Sequence, residues 1–138
     1  MSTLILDLRK GDMMVVNGAA MRFRSRTRVE LTARARFLFG RQIMPPMEAN
    51  SPARRIYYAL QTAYIGDDDE RRAGLAEARL RSGEFKEATT SQQAVALLDQ
   101  AMAFAEGGKC YQALRLARRV MQHEDAVLGH SRQPENAA

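Results

Sequence analysis

Apolar and polar residues change their rhythm once along this chain. Leu4, Leu6 and Leu8 alternate with Ile5, Asp7 and Arg9, the spacing of a strand whose side chains point to opposite faces. Lys10-Gly11-Asp12 reads as a turn, and Met13 to Val16 as a short apolar strand. Asn17-Gly18 then gives the strongest short hairpin signal, because both residues tolerate positive φ. Met21 and Phe23 alternate with Arg22, Arg24 and Arg26. Val29 and Leu31 share one face of a further strand, opposite Arg28 and Glu30. Ala35, Phe37 and Phe39 alternate with Arg34 and Arg36. Five short strands with close turns predict a small antiparallel sheet or open barrel. Such a sheet needs a partner layer or a second copy to cover its apolar face.

After Gly40 the pattern becomes helical. Pro45-Pro46 opposes both strand pairing and helix. Ser51-Pro52 is a helix start, with serine as N-cap and proline at the first helical position. Ile56, Leu60, Ala63 and Tyr64 follow at helical spacing, and Gly66 ends that helix. Asp67 to Glu70 place four carboxylates at the head of a second helix, where the macrodipole favours them; it is expected to run to about Ser82. A third helix from near Ser91 should bury Ala94, Leu97, Leu98, Ala101, Met102 and Ala105, and Gly107-Gly108 stops it. A fourth carries Tyr111, Leu114, Ala117 and Met121. The fold class is therefore α+β. It comprises a basic β-rich region over 1–41, a linker over 42–51, about four helices over 52–128 and a polar, disordered tail over 129–138. The last two helices form an αα-hairpin faintly like a tetratricopeptide unit, but a single unit is not an array.

Composition changes this picture little until charge is divided along the chain. Residues 1–58 hold eleven Lys/Arg against four Asp/Glu, a balance of +7, whereas residues 59–138 hold ten against twelve, a balance of −2. The basic half favours polyanions such as nucleic acid. Arg22, Arg24, Arg26, Arg28, Arg34 and Arg36 fall within fifteen residues, and strand alternation would set them as a ladder opposite an apolar face. Guanidinium groups stay charged, bind phosphate bidentately and stack on bases, so these six are the candidate RNA-binding residues. The competing explanation is an edge strand that arginine protects from aggregation. Six arginines exceed what edge protection needs, although the ladder has no exposed aromatic on which a base could stack.

Enzymatic chemistry is not indicated. His123-Glu124 begins like a zinc-protease motif, but His130 comes seven residues later, too far along a helix to share one metal. Cys110 is the only cysteine and has no CxxC partner. Asp67 to Glu70 read as a helix start in preference to a magnesium site, and there is no phosphate-binding glycine loop. No cofactor or metal is expected. A single cysteine, no long apolar run and no leader pattern make the expected location the cytoplasm, away from the membrane.

These residues resemble a known family. Leu4 to Asp12 followed by Val15-Val16-Asn17-Gly18-Ala19 is similar to the opening of FlbT proteins. So is Ile43-Met44 with Ala49-Asn50-Ser51-Pro52-Ala53-Arg54-Arg55-Ile56-Tyr57-Tyr58-Ala59-Leu60-Gln61, and so is Tyr111-Gln112-Ala113-Leu114-Arg115 with Glu124. The likeness covers nearly the whole chain in order. It implies a regulator that binds the 5′ untranslated region of flagellin mRNA and represses translation or promotes decay, with some relatives activating instead. FlaF, a second small flagellin regulator, is then an expected partner. The alternative within the same biology is a chaperone or adaptor whose helices hold flagellin or FlaF. The family carries no agreed set of RNA-contacting residues, so the site rests on the arginines alone. The opening strands also resemble those of CsrA, a small translational regulator whose two chains interleave. That resemblance implies RNA binding through the strands and a homo-oligomer. It stops after Gly40, where CsrA has one short helix.

Overall fold

A computed structural model describes residues 4–32 and 35–128. Arg34 and the 129–138 tail lie outside the described residues. The expected α+β order holds: five strands precede four α-helices. The strands form two small antiparallel sheets. In one, β1 (Leu4–Leu8) pairs with β4 (Thr27–Leu31), Leu6 lying opposite Val29. In the other, β2 (Met13–Val16) is flanked by β3 (Ala19–Arg22) and β5 (Phe37–Phe39). Asn17 and Gly18 join β2 to β3 with φ of 49° and 89°, the geometry that favours this dipeptide in a tight hairpin.

Two apolar clusters result. Leu6, Leu8 and Met14 are buried between the sheets, with Phe23, Phe37 and Phe39 packed half-buried against them. The larger cluster is helical, yet it includes Leu38 of β5, which is only 1% exposed. The expectation that Phe37 and Phe39 form the single buried face of this strand therefore needs correction. β5 is covered on both sides, the phenylalanines facing the strand cluster and Leu38 the helices, as a strand between two layers requires. Met21, which alternates with the arginines and would by that pattern face the core, is instead 41% exposed on the edge strand β3.

The helices are α1 (Pro52–Ile65), α2 (Asp68–Ala88), α3 (Gln92–Glu106) and α4 (Cys110–Leu128). Ser51, Asp67 and Ser91 cap the first three, each side chain accepting a backbone N–H of the first turn. α2 continues six residues beyond Ser82, because Gly83 is not followed by a proline and Phe85 still packs on the helical core. α1 and α2 cross closely at Gly74: a Cβ there would lie 2.7 Å from the Ala63 nitrogen and 2.8 Å from the Ala59 oxygen.

Two side chains lock the connection between strands and helices. Gln61 accepts from the Met44 N–H at 2.8 Å and donates to the Met44 carbonyl at 3.0 Å, which seats the buried Met44 against α1. Glu124, buried on α4, accepts from the Ser51 hydroxyl at 2.5 Å and from the Ala53 N–H at 2.9 Å. With its proton directed at Glu124, Ser51 turns a lone pair to the Arg54 N–H at 3.2 Å. A carboxylate at the start of α1 also complements the helix dipole.

Candidate nucleic-acid interface

The arginines do not form one ladder. Strand geometry stops at Arg22, since Phe23 turns to bond with the loop between β1 and β2. Gly11 N–H donates to the Phe23 carbonyl at 2.6 Å and Phe23 N–H to the Asp12 carbonyl at 2.9 Å. Arg24 and Ser25 bend the chain, and the Thr27 hydroxyl closes that bend on the Ser25 carbonyl at 2.9 Å. Side-chain alternation cannot pass through such a corner, so the expectation that Arg22, Arg24 and Arg26 share a strand face is not met. They wrap the edge where one sheet gives way to the other.

That corner is strongly basic. Arg22, Arg24, Arg26 and Arg28 are exposed, and the stitching of the turn to Phe23 brings exposed Arg9 and Lys10 to the same end. Arg22 is steadied by the Gly11 carbonyl at 3.3 Å. Arg28 faces Asp7 across the β1–β4 pair at 3.3 Å, with both side chains mostly in solvent, an ion pair that contributes little. Arg22, Arg24 and Arg26 make no ion pair with a carboxylate among the described residues. The corner offers guanidinium groups to a polyanion, but its aromatic, Phe23, is half-buried in the strand cluster. Arg9 and Lys10 could have been added from sequence by asking which residues a β-turn returns to the hairpin end.

Arg36 belongs elsewhere. It is half-buried, and its Nε donates to the Tyr64 carbonyl at 3.0 Å near the end of α1. The Tyr64 hydroxyl accepts from Phe37 N–H at 3.3 Å, and its ring meets that of Tyr111 at 5.8 Å. Burial pushes the Tyr64 hydroxyl above its ordinary pKa, partly opposed by that hydrogen bond from Phe37. Next to it, Tyr57 donates to the Gln42 carbonyl at 2.6 Å and lies under the Arg118 guanidinium, 5.4 Å from ring centroid to carbon. Burial raises the Tyr57 pKa as well, against the hydrogen bond from Arg118.

The remaining candidates serve the fold. Asp67 and Glu70 form a reciprocal capping box on α2. Among the described residues no group of three or more His, Cys, Asp or Glu is placed to hold a metal, and no helix is long and apolar enough to cross a membrane. Burial raises the Cys110 pKa above its ordinary value, while Arg71 and Arg36 pull it down by less. Less thiolate is then present at neutral pH, so Cys110 should alkylate several-fold more slowly with iodoacetamide than a free thiol, and at full speed in urea. Equal rates in the folded and unfolded protein would contradict this burial.

A cleft of about 470 Å³ opens at the other end of the helices, between Pro52, Phe85, Ala88 and Thr89, with Arg55, Arg81 and Glu84 at its edges. Val127 and Leu128 of α4 border it and are 71% and 57% exposed.

Comparison with known sequences adds an independent line. The profile of the family described as flagellar protein FlbT matches residues 4–128. A protein of Brucella ovis named "Probable flagellum biosynthesis repressor protein FlbT" is 27% identical over 126 residues, covering 90% of this chain and 81% of its own length. One of the same name from Brucella suis biovar 1 is likewise 27% identical over 126 residues. Its namesake from Chelativorans sp. (strain BNC1) is 25% identical over 138 residues, 99% of this chain and 93% of that protein. No solved structure matches the chain.

Proposed function

The chain belongs to the FlbT family, and we propose that it is a cytoplasmic post-transcriptional regulator of flagellin synthesis that binds the 5′ untranslated region of flagellin mRNA and represses its translation or promotes its decay. The names of its relatives, flagellum biosynthesis repressors, support the regulatory part of this reading. The observation that carries the RNA part is the corner of exposed, carboxylate-free arginines at Arg22, Arg24 and Arg26. Such groups gain affinity from phosphate contact and from the release of counterions.

Titration of a labelled flagellin leader RNA tests it. If the corner neutralises about four phosphates, log K should fall against log salt with a slope of roughly −3. Replacing Arg22, Arg24 and Arg26 together with glutamine should flatten that slope by roughly 2 and weaken binding at least tenfold. The same changes should cost under about 0.5 kcal/mol each in stability, because the side chains are exposed. A folded triple variant that binds the leader at wild-type strength would leave the arginines as edge protection only.

A second reading, a flagellin- or FlaF-binding adaptor, is favoured by the cleft bordered by Val127 and Leu128, since exposed apolar side chains beside a groove suit a protein partner. Substitutions at the corner leave that surface untouched, so the two activities separate by mutation.

A further inference from the structure

Beyond the strand corner, two stretches of the chain carry three or more cations without a single acid. Between Glu30 and Glu48 lie Arg34, Arg36 and Arg41; between Glu106 and Glu124 lie Lys109, Arg115, Arg118 and Arg119. They are far apart in sequence, yet the fold joins them. Gln42 Nε2 donates to the Tyr111 hydroxyl at 3.3 Å, and Arg118 reaches the Arg41 carbonyl at 3.5 Å and the Tyr57 hydroxyl at 3.2 Å. Arg36 approaches from the other side through Tyr64, whose ring abuts Tyr111.

The result is a stripe on α4. Tyr111, Arg115, Arg118 and Gln122 recur at helical spacing, with Arg119 beside them, and they oppose the buried positions Ala113, Ala117, Val120 and Glu124. Elsewhere on the helices Arg54, Arg71, Arg72, Arg79, Arg81 and Lys86 each lie within 4 Å of a carboxylate, Arg55 being the exception among the described residues. Along this stripe no such ion pair forms among the described residues. Tyr111 is 37% exposed and is the one large apolar side chain of the stripe that reaches solvent. Its ring is held by Tyr64 and Gln42, beside a shallow niche of about 30 Å³ lined also by Tyr57, Arg115 and Arg118. A fixed aromatic flanked by guanidinium groups that have no carboxylate partner among the described residues is what the strand corner lacks.

We propose that this stripe is a second RNA-contacting face, which stacks a base of single-stranded RNA on Tyr111 while Arg115 and Arg119 hold the neighbouring phosphates. The inference rests on the RNA-binding reading above and adds to it a site on the helical half, away from the strand corner. RNA is favoured over an acidic protein segment because the stripe pairs its charge with an aromatic and carries no exposed aliphatic cluster.

Fluorescence anisotropy on the full chain tests it, with two labelled probes, a twenty-nucleotide oligouridine and the flagellin leader RNA. Replacing Arg115 and Arg119 with glutamine should weaken both about tenfold and flatten the salt slope by roughly 1.4. Tyr111→Leu should weaken binding by roughly fivefold or more with the salt slope unchanged, because stacking is lost and no charge is. Arg72→Gln, on α2, serves as the control and should change neither. Circular dichroism checks folding, and the exposed double variant keeps the test valid should Tyr111→Leu unfold. If wild type binds the leader and the double variant matches it in affinity and slope, this face is overturned while the RNA-binding reading stands. If wild type binds neither probe, that reading fails and this one with it. If polyglutamate displaces RNA from wild type and Tyr111→Leu binds RNA normally, the stripe is an anionic-protein site and the proposal is wrong.

Discussion

Glu124→Ala is expected to lower the unfolding free energy by about 3 kcal/mol and the thermal midpoint by about 10 °C. The carboxylate accepts from the Ser51 hydroxyl and the Ala53 N–H at the buried start of α1. Hydrogen bonds to a charged acceptor contribute about 1.5–3 kcal/mol each, and relief of the carboxylate's own desolvation offsets part of the sum. Alanine would also leave the Ala53 N–H without its acceptor, and Ser51 would lose the partner that orients its hydroxyl toward Arg54. Glu124→Gln keeps one carbonyl oxygen for one of the two donors, so roughly half the loss should return. Urea unfolding of the three proteins decides it. Equal midpoints would show that water replaces the carboxylate without cost.

The second large effect should follow Gly74→Ala. On an exposed helix this exchange stabilises by about 1 kcal/mol. Here the new methyl would sit 2.7 Å from the Ala63 nitrogen and 2.8 Å from the Ala59 oxygen, both backbone atoms that no rotamer change can move aside. α1 and α2 must separate, and overpacking of this kind costs about 1–3 kcal/mol beyond the lost propensity gain. A net destabilisation of about 2 kcal/mol is expected, with Gly83→Ala as the contrast: its Cβ would meet nothing within 4 Å and should stabilise α2 slightly. A Gly74→Ala protein that melts at or above the wild-type temperature would mean that the two helices do not cross this closely.

The sequence made the elements legible where the physics is local. Alternation marked β1, Asn17-Gly18 marked the hairpin, and Ser51, Asp67 and Ser91 marked helix starts, because each signal acts over a few residues. What alternation cannot reveal is how many layers cover a strand. Phe37 and Phe39 looked like the buried face of β5, and Leu38 proved the deeper residue because helices cover its side as well. Glu124 carried no local sign of its role, since its partners lie more than seventy residues away. The arginines illustrate both sides. Their number and sign were plain in the sequence, but the bend at Arg24 and Ser25 divided a ladder into a corner, and Arg36 was drawn to Tyr64 by a contact across twenty-eight residues. The stripe on α4 was readable in part: helical spacing sets Tyr111, Arg115 and Arg118 together, and the missing acids between Glu106 and Glu124 could be counted. Only the fold shows that Arg41 and Gln42 border it.

The double coverage of β5 bears on the order in which the molecule matures during its synthesis. A chain leaves the ribosome N-terminus first, at about 5–20 residues per second. The strands emerge early, yet Leu38 must wait for α1 and its neighbours, and Phe37 and Arg36 wait for Tyr64. The start of α1 waits in turn for Glu124, close to the end of the described chain. The strands that carry the arginines are thus translated before the helices that cover β5. A nascent chain displays its charge for several seconds before the helical layer behind β5 is complete.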